Sequence, residues 1–180
     1  MDLLSLALLC GPLVDPATTM RVIAVESAGH PYAIHDNTNG RTYEGASAGG
    51  AASVARYLVA AGHRIDVGLM QINVAAWLTP GGIALESAFD PCTNIRLGST
   101  ILSANYAHAL PRSRSSAEAF VRALSEYNSG SEWRAWGYAN AVLAGHSGAA
   151  HRQPVTRGAR GPNPRGAIFS ADPHRRRTRP

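Results

Sequence analysis

No lysine occurs in this chain, so every fixed positive charge is carried by one of its 17 arginines. Cysteine is nearly absent as well. Cys10 and Cys92 are the only two, and their spacing matches no zinc signature. They read either as two buried thiols or as one bridge, whose long loop is worth about 4.5 kcal/mol in the chain-entropy picture. No apolar run approaches the roughly 20 residues that a helix needs to cross a bilayer. No internal repeat is visible. Residues 3–9 are apolar but few, and Asp2 stands where an export signal carries positive charge. No small-x-small cleavage site follows, so no convincing signal peptide is evident. Residues 3–10 are expected to form a short helix packed on the core.

The formal charge of +5 conceals a split. Residues 1–145 hold 9 Arg against 11 Asp plus Glu, a net −2, and residues 146–180 hold 8 Arg against Asp172, a net +7. The basic excess therefore lies wholly in a tail of Arg, Gly, Pro and Ala with little apolar periodicity. Such a tail is expected to be disordered and solvated or partner-contacting. Nucleic-acid binding would be strengthened by aromatics interleaved with the arginines, and the tail offers only Phe169. The organisation expected is one domain over residues 1–145 and a disordered tail over 146–180.

The stretch from Asp15 to Pro31 organises the rest. Asp15 is a good N-cap and Pro16 suits the first helical position. Residues 17–28 read as a helix, with Gly29 in the left-handed position beyond it and Pro31 as a stop. Met20, Ile23, Ala24 and Ser27 form its small-to-apolar face. Glu26 lies in the last turn, where the macrodipole is already negative. That placement, with apolar neighbours, disfavours the ionised carboxylate and suits a general acid. A solvated glutamate on an exposed helix end is the plainer reading of this helix alone.

Farther on, Asn39-Gly40 signals a two-residue hairpin turn between Ala33-Ile34 and Thr42-Tyr43. Residues 46–50 look small and flexible, and 53–61 look helical. The run from Asp66 to Asn73 mixes Gly68, Met70, Gln71 and Asn73, which suits a sugar-binding wall, with Asp66 as a turn residue. A short helix is expected over 73–78. Asp90-Pro91 opens a long helix to about Leu110. Ser115-x-x-Glu118 is a capping box for the next, with Phe120, Val121, Leu124 and Tyr127 as its stripe. A last helix over about 132–144 carries Trp133, Trp136, Tyr138 and Val142.

Four segments in this order resemble the soluble-type lytic transglycosylases of the lysozyme-like superfamily. They are Val25-Glu26-Ser27 with His30-Pro31-Tyr32-Ala33, then Gly68-Leu69-Met70-Gln71-Ile72-Asn73. Phe89-Asp90-Pro91-Cys92-x-Asn94-Ile95 with Leu97-Gly98 follows, and Ala123-Leu124-Ser125-Glu126-Tyr127-Asn128-Ser129-Gly130 comes last. Ala61-Gly62-His63 running into Ile65-Asp66-Val67-Gly68, with one Cys near the start and one in Phe89-Asp90-Pro91-Cys92, resembles the peptidoglycan-cleaving proteins of type IV secretion and conjugal transfer systems. The resemblance implies a mainly α, lysozyme-like α+β fold with a small β-hairpin lobe. It implies Glu26 as catalytic acid/base, and Ser27, Met70, Gln71, Asn73, Tyr127 and Asn128 around the glycan. It pairs Cys10 with Cys92. It implies no metal or cofactor, peptidoglycan strands and secretion-machinery proteins as partners, and a periplasmic or cell-wall location.

Hydrolysing glycosidases use two carboxylates. Only Glu26 stands in a matching motif here, although Asp36, Glu44, Asp66, Glu86 and Asp90 exist. One carboxylate suits an intramolecular reaction, and the family resemblance implies one that closes a 1,6-anhydro ring on N-acetylmuramic acid. The alternatives are a water-using muramidase and a non-catalytic peptidoglycan-binding module.

Overall fold

The computed structural model describes residues 2–145. The expected tail, residues 146–180, lies outside the described residues. The chain order is α1 (Leu3–Cys10), α2 (Pro16–Ser27), β1 (Ala33–Asp36), β2 (Arg41–Glu44), α3 (Ala48–Ala60), β3 (Ile65–Val67) and β4 (Ile72–Asn73). A π-helical turn (Val74–Leu78) runs into the single turn α4 (Thr79–Gly81), and a 3-10 turn (Leu85–Phe89) precedes α5 (Pro91–Ala109). After a short 3-10 turn come α6 (Ser116–Ser129) and α7 (Trp136–Ala144). The mainly helical expectation holds.

Short polar side chains start the helices by taking an otherwise unpaired amide. Asp2 accepts from Ser5 N at 3.0 Å, Asp15 from Thr18 N at 3.1 Å and Asp90 from Thr93 N at 2.8 Å. Ser115 accepts from Glu118 N at 3.2 Å, while the Glu118 carboxylate takes the Arg114 amide rather than that of Ser115. Ser47 accepts from Gly50 N at 3.2 Å, so α3 begins five residues before the expected 53, inside the stretch read as flexible. The two glycines there are tolerated because Ala51, Ala52 and Ala55 bury the helix against the core.

The β lobe is larger than a hairpin. Four strands form one antiparallel sheet in the order β2-β1-β3-β4. Asp36 pairs with Arg41, which leaves Asn37 to Gly40 as a four-residue loop in place of the two-residue Asn39-Gly40 turn. Asp36 caps that loop by accepting from Thr38 N at 2.9 Å. Asp66 is not a turn residue. It lies on β3 opposite His35, is fully buried, and accepts from Asn37 Nδ2 and Asn73 Nδ2, both at 2.8 Å.

Helix α2 packs between α1 and α7. Its buried face is therefore wide and comprises Thr19, Val22, Ile23, Val25 and Ser27, with Met20 and Ala24 only partly covered. The Cys10–Cys92 disulfide ties the end of α1 to the start of α5, 82 residues apart, which decides between the bridge and the free thiols. One apolar core runs from Ile23 through Ile34, Ile65, Leu69, Ile72 and Phe89 to Ile95, Leu102 and Leu124.

Candidate active site

Helix α2 ends at Ser27, with Ala28 in the left-handed conformation and Gly29 also at positive φ. The chain turns away at once, which leaves Glu26 partly buried on the final turn. The Tyr138 hydroxyl, from α7, donates to Glu26 Oε1 at 2.7 Å across 112 residues of sequence. A rigid aromatic side chain thus holds the carboxyl group in place.

Ser27 faces the β3–β4 turn. It is buried, and its hydroxyl donates to the Leu69 carbonyl at 2.8 Å, with the Ile23 carbonyl at 3.3 Å. The neighbouring Met70 carbonyl accepts the Tyr127 hydroxyl at 2.7 Å. Two successive carbonyls of the β3–β4 turn are therefore clamped, one from α2 and one from α6. Asn94 on α5 completes the clamp. Its Oδ1 accepts from Met70 N at 2.7 Å, and its Nδ2 donates to Val67 O at 3.0 Å and Ala88 O at 2.8 Å.

The turn itself needs unusual backbone. Gly68 sits at φ +79°, and a Cβ there would lie 2.7 Å from the Ala88 carbonyl oxygen. Gln71 adopts φ +48°, which is uncommon for a residue with a side chain. Its amide Nε2 offsets that by donating to Gly68 O at 2.8 Å and Ala33 O at 3.2 Å. Met70 is fully buried, against Gly98, where a Cβ would approach the Met70 Cβ to 2.8 Å.

The sequence-predicted residues thus fall into two groups. Ser27, Met70 and Gln71 are buried and bonded, the last two within the turn and Ser27 against it. Asn73 and Tyr127 are partly exposed, Asn73 donating to Asp66 and accepting from Ala76 N at 2.9 Å. Asn128 is buried, and its Nδ2 has no hydrogen-bond partner among the described residues. Tyr138 and Asn94 were missed as site residues. Tyr138 is one of four large residues that the expected last helix carries, and nothing in that helix singles it out. Asn94 appeared in a motif, but nothing in its spacing shows three bonds to a distant turn.

The other carboxylates have their own work. Asp36 is fully buried, accepts from Thr38 N and sits 2.6 Å from His63 Nδ1. Burial pushes its carboxyl up, but the His63 hydrogen bond, the Thr38 amide and the His63 charge outweigh that, and the net direction is down. Asp66 takes two asparagine amides, Asp90 caps α5, and Glu86 pairs with Arg56. Glu44 is exposed at the end of β2, 3.7 Å from His30.

One further cluster joins His108, Glu126 and Glu132, whose ligand atoms lie within 4.8 Å of one another. Burial pushes the Glu126 carboxyl up and nearby Glu132 adds to this, against the hydrogen bond and charge of His108. Two guanidinium groups, Arg112 and Arg122, already reach Glu132. The cluster has the form of an ion-pair network joining α5, α6 and the turn before α7. No helix of the described residues is long and apolar enough to cross a membrane.

Residues 7–140 match the family model of the transglycosylase SLT domain, and the chain belongs to that family. It is 35% identical over 121 residues to protein virB1 of Agrobacterium fabrum, covering 67% of this chain and 49% of that protein. It is 36% identical over 134 residues to protein virB1 of Rhizobium radiobacter, covering 74% and 54%. To the type IV secretion system protein virB1 of Brucella abortus it is 33% identical over 120 residues, covering 67% and 50%. The chain spans about half the length of these curated relatives. No solved structure matches it.

Proposed function

We propose that this chain is a lytic transglycosylase that cleaves the β-1,4 bond between N-acetylmuramic acid and N-acetylglucosamine in peptidoglycan. It opens the wall locally, in the periplasm, for a type IV secretion or conjugation apparatus. The family match and the Brucella relative's name support that setting. The observation that carries the chemistry is the contrast among carboxylates. Glu26 lies partly buried on the last turn of a helix with the Tyr138 hydroxyl on its Oε1, while Asp36 and Asp66 are fully buried, Glu86 pairs with Arg56 at the surface and Asp90 caps a helix.

In this reading Glu26 gives its proton to the glycosidic oxygen as the bond to muramoyl C1 breaks. The carbonyl oxygen of the substrate's own N-acetyl group stabilises the positive C1, the substrate-assisted route. Glu26, now a carboxylate, takes the proton from the muramoyl 6-hydroxyl, and O6 bonds to C1. No water is consumed, and the acid returns to its starting state. Holding O6 in the same sugar supplies the proximity that a bound water would otherwise need. Tyr138 keeps the carboxyl group aimed through both transfers. Asn73 and Tyr127 contact the glycan, with Asn128 buried next to Tyr127 at the end of α6. Ser27, Met70 and Gln71 fix the floor beneath.

Mass spectrometry of muropeptides released from purified peptidoglycan tests the reading. Wild-type protein is expected to give 1,6-anhydromuramoyl ends. Glu26→Gln is expected to lose at least about a thousandfold in rate, within the range for a general acid, with its thermal unfolding unchanged. Reducing ends would make the chain a hydrolase, with exposed Glu44 the first second carboxylate to replace. No release at all would leave a peptidoglycan-binding module.

A further inference from the structure

Trp133 and Trp136 form a second feature, at the start of α7. Their rings stack at 6.1 Å between centroids with 25° between planes, yet Trp133 is 54% and Trp136 43% exposed. Folding ordinarily gains by hiding such area, so two large indoles left together in water are informative. They are also held still. The Arg122 guanidinium lies 4.1 Å from the Trp133 ring centroid. That guanidinium is buried and bonded to the Arg112 carbonyl at 2.7 Å, Glu118 at 2.5 Å and Glu132 at 3.5 Å. Trp133 is thereby oriented before any ligand arrives, which lowers the ordering cost of binding.

Their position links them to the site. Trp136 is the first residue of α7, and Tyr138, two residues on, holds Glu26. One helix thus carries both Trp136 and the tyrosine on Glu26, and because residues two apart on a helix do not share a face, Trp136 projects from another side of α7 than Tyr138 does. We propose that Trp133 and Trp136 form a stacking platform for saccharide units of the glycan strand beyond the bond being cleaved. The flat, C–H-rich face of a pyranose ring is apolar and its rim is hydroxylated, so an exposed indole face covers the first and leaves the second in water. The proposal rests on the peptidoglycan reading above and adds where the strand lies.

The test uses full-length protein in a Glu26→Gln background, co-sedimented with purified peptidoglycan. Replacing both rings, Trp133→Ala with Trp136→Ala, is expected to weaken binding at least tenfold, about the loss of one aromatic anchor. Trp133→Phe with Trp136→Phe keeps two aromatic faces and is expected to restore most of it. Cooperative thermal unfolding of each variant shows that it is folded. Unchanged binding in the alanine pair overturns the platform, as does equal loss in the folded phenylalanine pair. Loss of self-association instead of glycan binding also overturns it, and makes the rings a contact between copies. If the Glu26→Gln parent does not sediment, the platform fails. Release of muropeptides by wild-type protein from the same preparation then shows whether the cleavage reading stands without it.

Discussion

On the sheet side of the site, Asp36, Asp66, Gln71 and Asn94 are all buried and all bonded within the protein. On the α6–α7 side, Tyr138 donates to Glu26, Tyr127 is partly exposed, and Trp133 and Trp136 stand in water. Both sides are rich in polar and aromatic side chains, but they use them differently. The sheet side spends hydrogen bonds on fixing one backbone turn, whose positive φ at Gln71 would not persist unaided. The α6–α7 side leaves groups where a ligand can reach them. A buried amide or carboxylate near an active site is therefore no guide to chemistry until its partners are counted.

The sharpest way to break this division is to cut the clamp. Asn94→Ala removes the acceptor of Met70 N and the donor to two carbonyls, all buried. It is expected to cost about 3 kcal/mol, the scale of several buried bonds lost together. Activity is expected to fall with it, because the turn that carries Met70 loses its support. Denaturant unfolding measures the first and muropeptide release the second. A folded, fully stable Asn94→Ala would show that the turn holds itself.

The sheet's ion pair gives a smaller effect with a pH signature. Asp36 in the folded state stays ionised to lower pH than an ordinary aspartate. Its contribution is therefore present above the unfolded value of 3.8 and disappears as pH falls through the lower folded value. His63→Ala removes the main downward influence and leaves burial opposed by the Thr38 and Asn39 amides alone. It is expected to cost about 1–2 kcal/mol at pH 7 and to start acid unfolding at higher pH. Urea midpoints between pH 2 and 7 check both, and an acid limb that does not move would mean that the pair carries no weight.

On the other side, Tyr138→Phe keeps the ring and removes the hydroxyl from Glu26. Its kcat is expected to drop about tenfold, the worth of one hydrogen bond of about 1.4 kcal/mol. Stability is expected to change by less than in either sheet-side variant. A kcat that stays put, with lost stability, would move Tyr138 to the sheet side's role.

Much of this was legible in local chemistry. Asp15-Pro16, Asp90-Pro91 and Ser115-x-x-Glu118 mark helix starts because each solves the unpaired-amide problem within four residues. Glu26 stood out because a carboxylate at a helix C-terminus breaks a local rule. What was not legible depends on distant partners. The third and fourth strands are too short to show alternation, and β3 is recognised as a strand only through its pairing with β1 and β4. Asn39-Gly40 gave the right hairpin and the wrong loop, because Asp36 uses its side chain to widen the turn. Ser47-Ala48-Gly49-Gly50 reads as loop by propensity and is helix by burial of the alanines that follow. Tyr138 on Glu26 spans 112 residues, and no pattern within α7 encodes it.

The central claim is that one carboxylate, Glu26, serves as acid and then base, with the sugar's own hydroxyl in place of water. Cleavage in water enriched in oxygen-18 tests it most directly. The account predicts muramoyl products in the 1,6-anhydro form with no heavy oxygen at C1, absent when Glu26→Gln replaces the wild type. Heavy oxygen at C1 of reducing muramoyl ends would contradict it, because solvent would then have supplied the nucleophile.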